Sequence, residues 1–121
     1  MTAPNIRNPS SIIGKTNITS NLTTSLASVL TNASASGKVF KINSIFAANT
    51  SGTTDGSVSV AIYDADTATT CYLAYTIDVP ADSTQVISTK ETYFYVQENV
   101  SIQASRATAN ISLTIGYEEI S

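Results

Sequence analysis

From Ser57 to Ile62 the chain alternates strictly, with Val58, Val60 and Ile62 on one parity and Ser57, Ser59 and Ala61 on the other. A period of two sends successive side chains to opposite faces of a strand, whereas an amphipathic helix repeats its apolar residues three and four apart. Similar alternation recurs in short runs bounded by turn-forming clusters such as Ser34-Ala35-Ser36-Gly37 and Thr50 to Gly56. The residue types agree. Thr (18), Ile (13) and Val (8) far outnumber Leu (5), and only 12% of the chain is charged, which leaves little material for the solvent face of a helix.

Along the chain, Ser10 to Thr19, with Ile12, Ile13 and Ile18, and Leu22 to Leu30 read as the first two strands. Between Lys38 and Asn49, residues Phe40, Ile42, Phe46 and Ala48 take one parity and Lys41 and Asn43 the other, which predicts a third. After the 57–62 strand comes a polar tip, Asp64-Ala65-Asp66-Thr67. Cys71, Leu73, Tyr75, Ile77 and Val79 then share a face against Tyr72, Ala74, Thr76 and Asp78, until Pro80, which lacks a donor, stops the ladder. Val86–Ile87, Tyr93–Val96, the Val100/Ile102/Ala104 run and the Ile111/Leu113/Ile115/Tyr117 run follow, the last two separated by an Arg106–Asn110 loop. About eight short strands at spacings near ten residues predict an all-β domain, a single antiparallel β-sandwich of jelly-roll type over residues 12–121. Residues 1–11, with Pro4 and Pro9, read as an extended N-terminal arm.

Chemistry is sparse. The absence of histidine removes the commonest general base and every Ser-His or Cys-His nucleophile arrangement. A single cysteine rules out an internal disulfide framework and a multi-thiolate zinc site, and its place in an apolar register predicts that Cys71 is a small buried hydrophobe. Four lysines and two arginines are scattered, and the net charge of -3 supplies no cationic footprint for nucleic acid. No apolar run approaches the roughly 20 residues that span a bilayer as a helix, and no secretory signal pattern opens the chain. Gly14-Lys15-Thr16 lacks the glycine that a phosphate-binding loop needs at position 9, where Pro9 stands. Asp64, Asp66, Asp78, Asp82 and Asp55 read as turn residues in preference to calcium ligands, and Glu118-Glu119 as a charged sheet edge. Asn-X-Ser/Thr occurs at Asn17, Asn21, Asn32, Asn49, Asn99 and Asn110, as expected in a chain with 17 serines and 18 threonines. These features predict a non-enzymatic protein with no cofactor, no metal, and neither nucleic acid nor membrane as a partner.

The segments SGKVFKINSIFAANTSG (36–52), VSVAIYDAD (58–66), IDVPADSTQVISTK (77–90) and YFYVQENVSIQASRATANISLTIGYEEIS (93–121) together resemble small virion proteins of tailed bacteriophages, especially those of aquatic bacteria and cyanobacteria. That resemblance, over residues 36–121, implies a one-domain β protein carried in many copies on the particle, as a capsid decoration or cement protein or as a tail or neck component. It implies copies of the chain itself and a major capsid protein or other virion component as partners, and the virion, assembled in the host cytoplasm, as location. The arm, through Pro4, Ile6, Arg7 and Pro9, and the sheet edges are the expected contacts. Two other readings stand beside it. One is a carbohydrate-binding or adhesion module that uses loops Thr50–Gly56 and Asp64–Thr70 at one end of the sandwich, with Asp64, Asp66 and Tyr72. The other is a small calcium-stabilised enzyme of carboxylate type.

Overall fold

The computed structural model describes residues 4–121. Nine strands make up the domain: β1 (Ile12–Thr19), β2 (Ala27–Asn32), β3 (Val39–Asn49), β4 (Gly56–Asp64), β5 (Thr69–Val79), β6 (Thr84–Ser88), β7 (Phe94–Val96), β8 (Val100–Ala107) and β9 (Ile111–Ile120). A 3-10 turn at Lys90–Thr92 separates β6 from β7. The strands form two antiparallel sheets, one ordered β1-β9-β3-β6 with β7 also on β3, the other ordered β2-β8-β4-β5. Chain crossings between the sheets at almost every connection give the jelly-roll arrangement expected from the strand spacing.

The core lies between the sheets. Ile111, Leu113 and Ile115 from β9, Ile42, Ile45 and Ala47 from β3, Val58 and Val60 from β4, and Ile102 from β8 are all 1% exposed or less. Here the two-residue period reads correctly through β4, β8 and β9. It fails in β3 and β5, because each carries a β-bulge that shifts parity. In β3 the register slips between Ile42 and Ser44, so Ile45 and Ala47 point inward while Phe46, expected inside, is 38% exposed. In β5 the register slips opposite Val58–Ala61, leaving Ala74 and Val79 buried and turning Leu73 and Tyr75 to solvent. The expectation of a buried Cys71 is corrected as well: Cys71 pairs with half-buried Ile62, but it is exposed because β5 is the edge strand of its sheet.

Two buried asparagines fasten the loops. Asn32, at the end of β2, is fully buried and donates from Nδ2 to the carbonyls of Lys38 (2.9 Å) and Val96 (3.0 Å), while Ser36 Oγ donates to its Oδ1. Asn49, at the end of β3, donates to the carbonyls of Thr54 and Val79, both at 2.9 Å, and its Oδ1 accepts from Ser51 N–H. Both sit at strand ends, where backbone carbonyls turn away from the ladder and need donors. Leu22, in the β1–β2 connection, closes that end of the core at 2% exposure.

Of the expected arm, residues 1–3 lie outside the described residues. Asn5 to Asn8 form a turn, with Asn8 N–H donating to Asn5 C=O at 3.2 Å. Ser10 and Ser11 N–H donate to Ser121 C=O, and Ser121 N–H donates back to Ser11 C=O at 2.9 Å, so the segment is laced to the last residue. Ile6 and Arg7 are exposed, whereas Pro4 and Pro9 are half-buried.

Candidate functional site

The outer face of the β2-β8-β4-β5 sheet carries a groove of about 310 Å³. Antiparallel pairing puts directly opposed residues on one face. Ser59 of β4 opposes Ser105 of β8, and with Ser57 these short side chains form the floor. Thr24 and Leu26 stand on the β2 side, and Tyr72 and Tyr75 on the β5 side. The two rings meet edge to face with centroids 4.8 Å apart. Residues three apart in a regular strand face opposite ways, so this pair exists only because of the β5 bulge. At the bulge Thr76 has a φ of +48, a left-handed value uncommon for a β-branched residue, and its N–H donates to Ser59 Oγ at 2.9 Å. Arg106 also lines the groove, with Nε donating to the Leu22 carbonyl at 3.0 Å.

The outer face of the other sheet has a different character. Ile18 of β1 opposes Thr114 of β9, which opposes Phe46 of β3, which opposes Val86 of β6. This row crosses the sheet from edge to edge, and its apolar members are 75%, 38% and 44% exposed in the order Ile18, Phe46, Val86. The adjoining rows, Thr16–Gly116–Ser44 and Ser112–Ala48–Thr84, hold only small or hydroxyl residues. Charge begins one row further on, where Lys41 opposes Glu118, and Lys41 Nζ lies 4.6 Å from the Tyr93 ring centre.

Glu119 is the best-connected carboxylate. It is 8% exposed and takes Lys15 Nζ at 2.7 Å on Oε2 and Lys38 Nζ at 2.6 Å on Oε1. The hydrogen bonds from Lys15 and then Lys38 hold its carboxyl below the ordinary glutamate value, against the opposing effect of burial, and the bond to Glu119 holds the Lys15 ammonium above its ordinary value. β9 is an interior strand, flanked by β1 and β3. The expected role of Glu118-Glu119 as a sheet edge is therefore corrected: Glu119 is a clamp across three segments, and Glu118 accepts from Asn43 Nδ2 at 3.0 Å.

The residues singled out from sequence do not converge. Loops Thr50–Gly56 and Asp64–Thr70 flank opposite ends of β4, so they lie at opposite ends of the sandwich and not together. Asp64 Oδ1 accepts from Asp66 N–H at 3.0 Å, and Asp66 Oδ1 accepts from Asn99 Nδ2 at 2.7 Å, beside a second cavity of about 230 Å³ lined by Ser34, Ala35, Glu98 and Asn99. Tyr72 lies in the first groove, three strand positions from that tip. Asp55 Oδ1 accepts from Ala81 N–H at 2.9 Å, the bonding of a turn residue. The six tyrosines, which from sequence could build an aromatic platform for a sugar or serve as core-edge and interface residues, are divided: Tyr93 and Tyr95 pair at 5.8 Å beside Lys41, and Tyr117 packs at 5.1 Å on Phe40 inside the sandwich. Among the described residues, no group of three or more Cys, Asp or Glu side chains is placed to hold a metal ion. Sequence reasoning considered the tyrosines, Tyr75 among them, as a sugar platform and preferred core-edge or interface roles; it missed the serine floor and the pairing of Tyr75 with Tyr72, because a bulge leaves no mark in the alternation beyond a pattern that reads well in the wrong register.

No protein-family model matches this chain, and no curated protein matches it. Among solved structures, it is similar to one described as "Bacillus endospore appendages form a novel family of disulfide-linked pili", at 15% identity and a TM-score of 0.54 over 92% of this chain and 88% of that one. At that identity the likeness concerns the fold, and it agrees with the all-β sandwich described above. No helix among the described residues is long and apolar enough to cross a membrane.

Proposed function

We propose that this chain is a non-enzymatic structural subunit that works in many copies, packing the outer face of the β1-β9-β3-β6 sheet against a second copy of itself. The observation that carries this reading is the Ile18–Thr114–Phe46–Val86 row, an apolar stripe spanning a sheet face whose adjoining rows hold no charge. Such a surface loses little desolvation energy when buried, since hydroxyls find new partners more readily than unpaired charges do. The acidic side chains with visible partners serve structure: Asp55, Asp64 and Asp66 in turns, Glu118 and Glu119 across strands.

Within that reading, the resemblance of residues 36–121 to small phage virion proteins supports a capsid decoration or cement protein, with a tail, neck or fibre-associated subunit as the alternative position. The similar solved structure concerns pili, which are also built by repetition, and supports the coarser idea of a repeated subunit. The disulfide linkage named for those pili does not carry over as a polymer bond, because the one cysteine of these 121 residues joins at most two chains.

Two measurements test the proposal. Sedimentation of the purified chain is expected to show self-association that Phe46→Asp abolishes; a wild-type chain that stays monomeric overturns packing through this face. Quantitative mass spectrometry of purified particles of the encoding phage is expected to find many copies per particle, and particles without a stoichiometric copy overturn the virion role.

A further inference from the structure

The groove on the opposite sheet is separate from the apolar stripe, and its construction differs from that of a packing surface. It is concave, with a floor of short hydroxyl side chains and a wall of two tyrosines that the core does not use: Tyr72 is 44% and Tyr75 65% exposed. Its volume, about 310 Å³, lies at the small end of the range for small-molecule sites, which run from about 300 Å³ upward.

The wall is there because the backbone is held in an uncommon shape. Without the β5 bulge, Tyr75 would point into the sandwich and leave Tyr72 alone. The bulge is held open by the Thr76 N–H···Oγ bond to Ser59, itself a floor residue, so groove and bulge form one unit. Bulges and left-handed β-branched residues cost free energy and concentrate where a side chain has to be re-aimed for a task. Here the re-aimed group is an aromatic ring set beside hydroxyls.

We propose that this groove binds a saccharide ring, stacked on the Tyr72–Tyr75 wall and hydrogen-bonded by the serine floor. A sugar presents an apolar face of C–H groups and a rim of hydroxyls, which donate and accept as serine and tyrosine hydroxyls do. Arg106, the charged residue of the lining, is held in place by its Nε bond to the Leu22 carbonyl and keeps its Nη donors, so the ring and hydroxyl contacts are joined by a cation that can also meet an acidic sugar. This site goes beyond the structural role proposed above and stands on the opposite face.

The test is binding of the full chain to an array of neutral and acidic oligosaccharides, followed by saturation-transfer NMR with the best-bound sugar. Expected is a signal that Tyr75→Ala reduces at least about tenfold, the loss of roughly 1.4 kcal/mol of contact energy, while Tyr93→Ala, on the other sheet, leaves it unchanged. Tyr75 is largely exposed, so this variant keeps the wild-type melting temperature. No array signal above blank overturns the proposal, as does a signal that Tyr75→Ala leaves intact. If Tyr75→Ala instead shifts the sedimentation of the chain without any sugar bound, the groove is a contact between copies and the saccharide site is overturned. Failure of the stripe through Phe46→Asp is read by sedimentation alone and leaves this result independent.

Discussion

The Glu119 carboxylate accepts a hydrogen bond from Lys15 Nζ at 2.7 Å across 104 positions of chain, joining β1 to β9. Lys38, just before β3, occupies the other oxygen, so one carboxylate ties three segments near the place where Ser10 and Ser11 meet Ser121. The arrangement gives the stability of the fold a pH-dependent contribution in both acid and base.

Glu119 titrates below its ordinary 4.5 in the folded chain, because the protonated acid loses both ammonium partners. The stability it contributes is complete above about pH 4.5 and is lost as pH falls through its depressed value. Lys15 titrates above its ordinary 10.5, so its share is present below that pH and is lost as pH rises past it. Thermal melts across pH are expected to give a plateau between these limits, with Glu119→Gln lowering the plateau and flattening its acid limb. An acid limb unchanged in Glu119→Gln would assign that limb to other carboxylates.

Asn32 spends its side chain on backbone carbonyls that no strand reaches. Asn32→Ala leaves the buried carbonyl of Val96 and the partly buried carbonyl of Lys38 without this donor. The expected cost is about 2–3 kcal/mol, the penalty of a buried acceptor left unpaired. Asn110→Ala, at an exposed position of the same Asn-X-Ser type, is expected within about 0.5 kcal/mol of wild type. Urea unfolding distinguishes them, and equal midpoints would show that Asn32 is dispensable.

The β-sandwich was legible because burial on one face imposes a period of two, and β4, β8 and β9 are regular enough to keep it. Ile111, Leu113 and Ile115 could be placed inside from alternation alone. The candidate sites were not, for two physical reasons. Bulges at Asn43 and near Thr76 reverse the parity of Phe46 and Tyr75, and those are the residues that give each outer face its character. Long-range pairing also decides what an acidic pair does: Glu118-Glu119 looks like an edge until β1 is known to lie beyond it, with Lys15 in register near it. Loops 50–56 and 64–70 are near in sequence, but the intervening strand carries them apart by its own length.

Gly56 opens β4 against the β8–β9 loop so closely that a Cβ there meets the Ala109 Cβ at 2.9 Å and the Ala107 carbonyl at 3.0 Å. One of those neighbours is backbone, so relief requires moving the loop. Gly56→Ala is expected to destabilise the domain by about 1–3 kcal/mol, the usual cost of overpacking. Gly14, on exposed β1, has nothing within 4 Å of the same position. Gly14→Ala is expected to stabilise by about 0.4–1 kcal/mol through the reduced freedom of the unfolded chain. Opposite shifts in denaturation midpoint confirm both, and a neutral Gly56→Ala would refute the close approach.

The isoleucines divide into two kinds that sequence cannot separate, and their variants are expected to separate on two different measurements. Ile115 is fully buried between the sheets and pairs with Asn17, whereas Ile18, the next residue along β1, is 75% exposed on the outer face. Ile115→Ala removes buried methyl groups and leaves a cavity, for an expected loss of about 2–5 kcal/mol. Ile18→Ala leaves no cavity, so unfolding is expected to change by less than about 0.5 kcal/mol. If the stripe is a contact between copies, Ile18→Ala nevertheless weakens self-association, because its side chain is removed from the shared surface. A variant that keeps both its melting temperature and its sedimentation would take Ile18 out of the interface and narrow the contact to Phe46 and Val86.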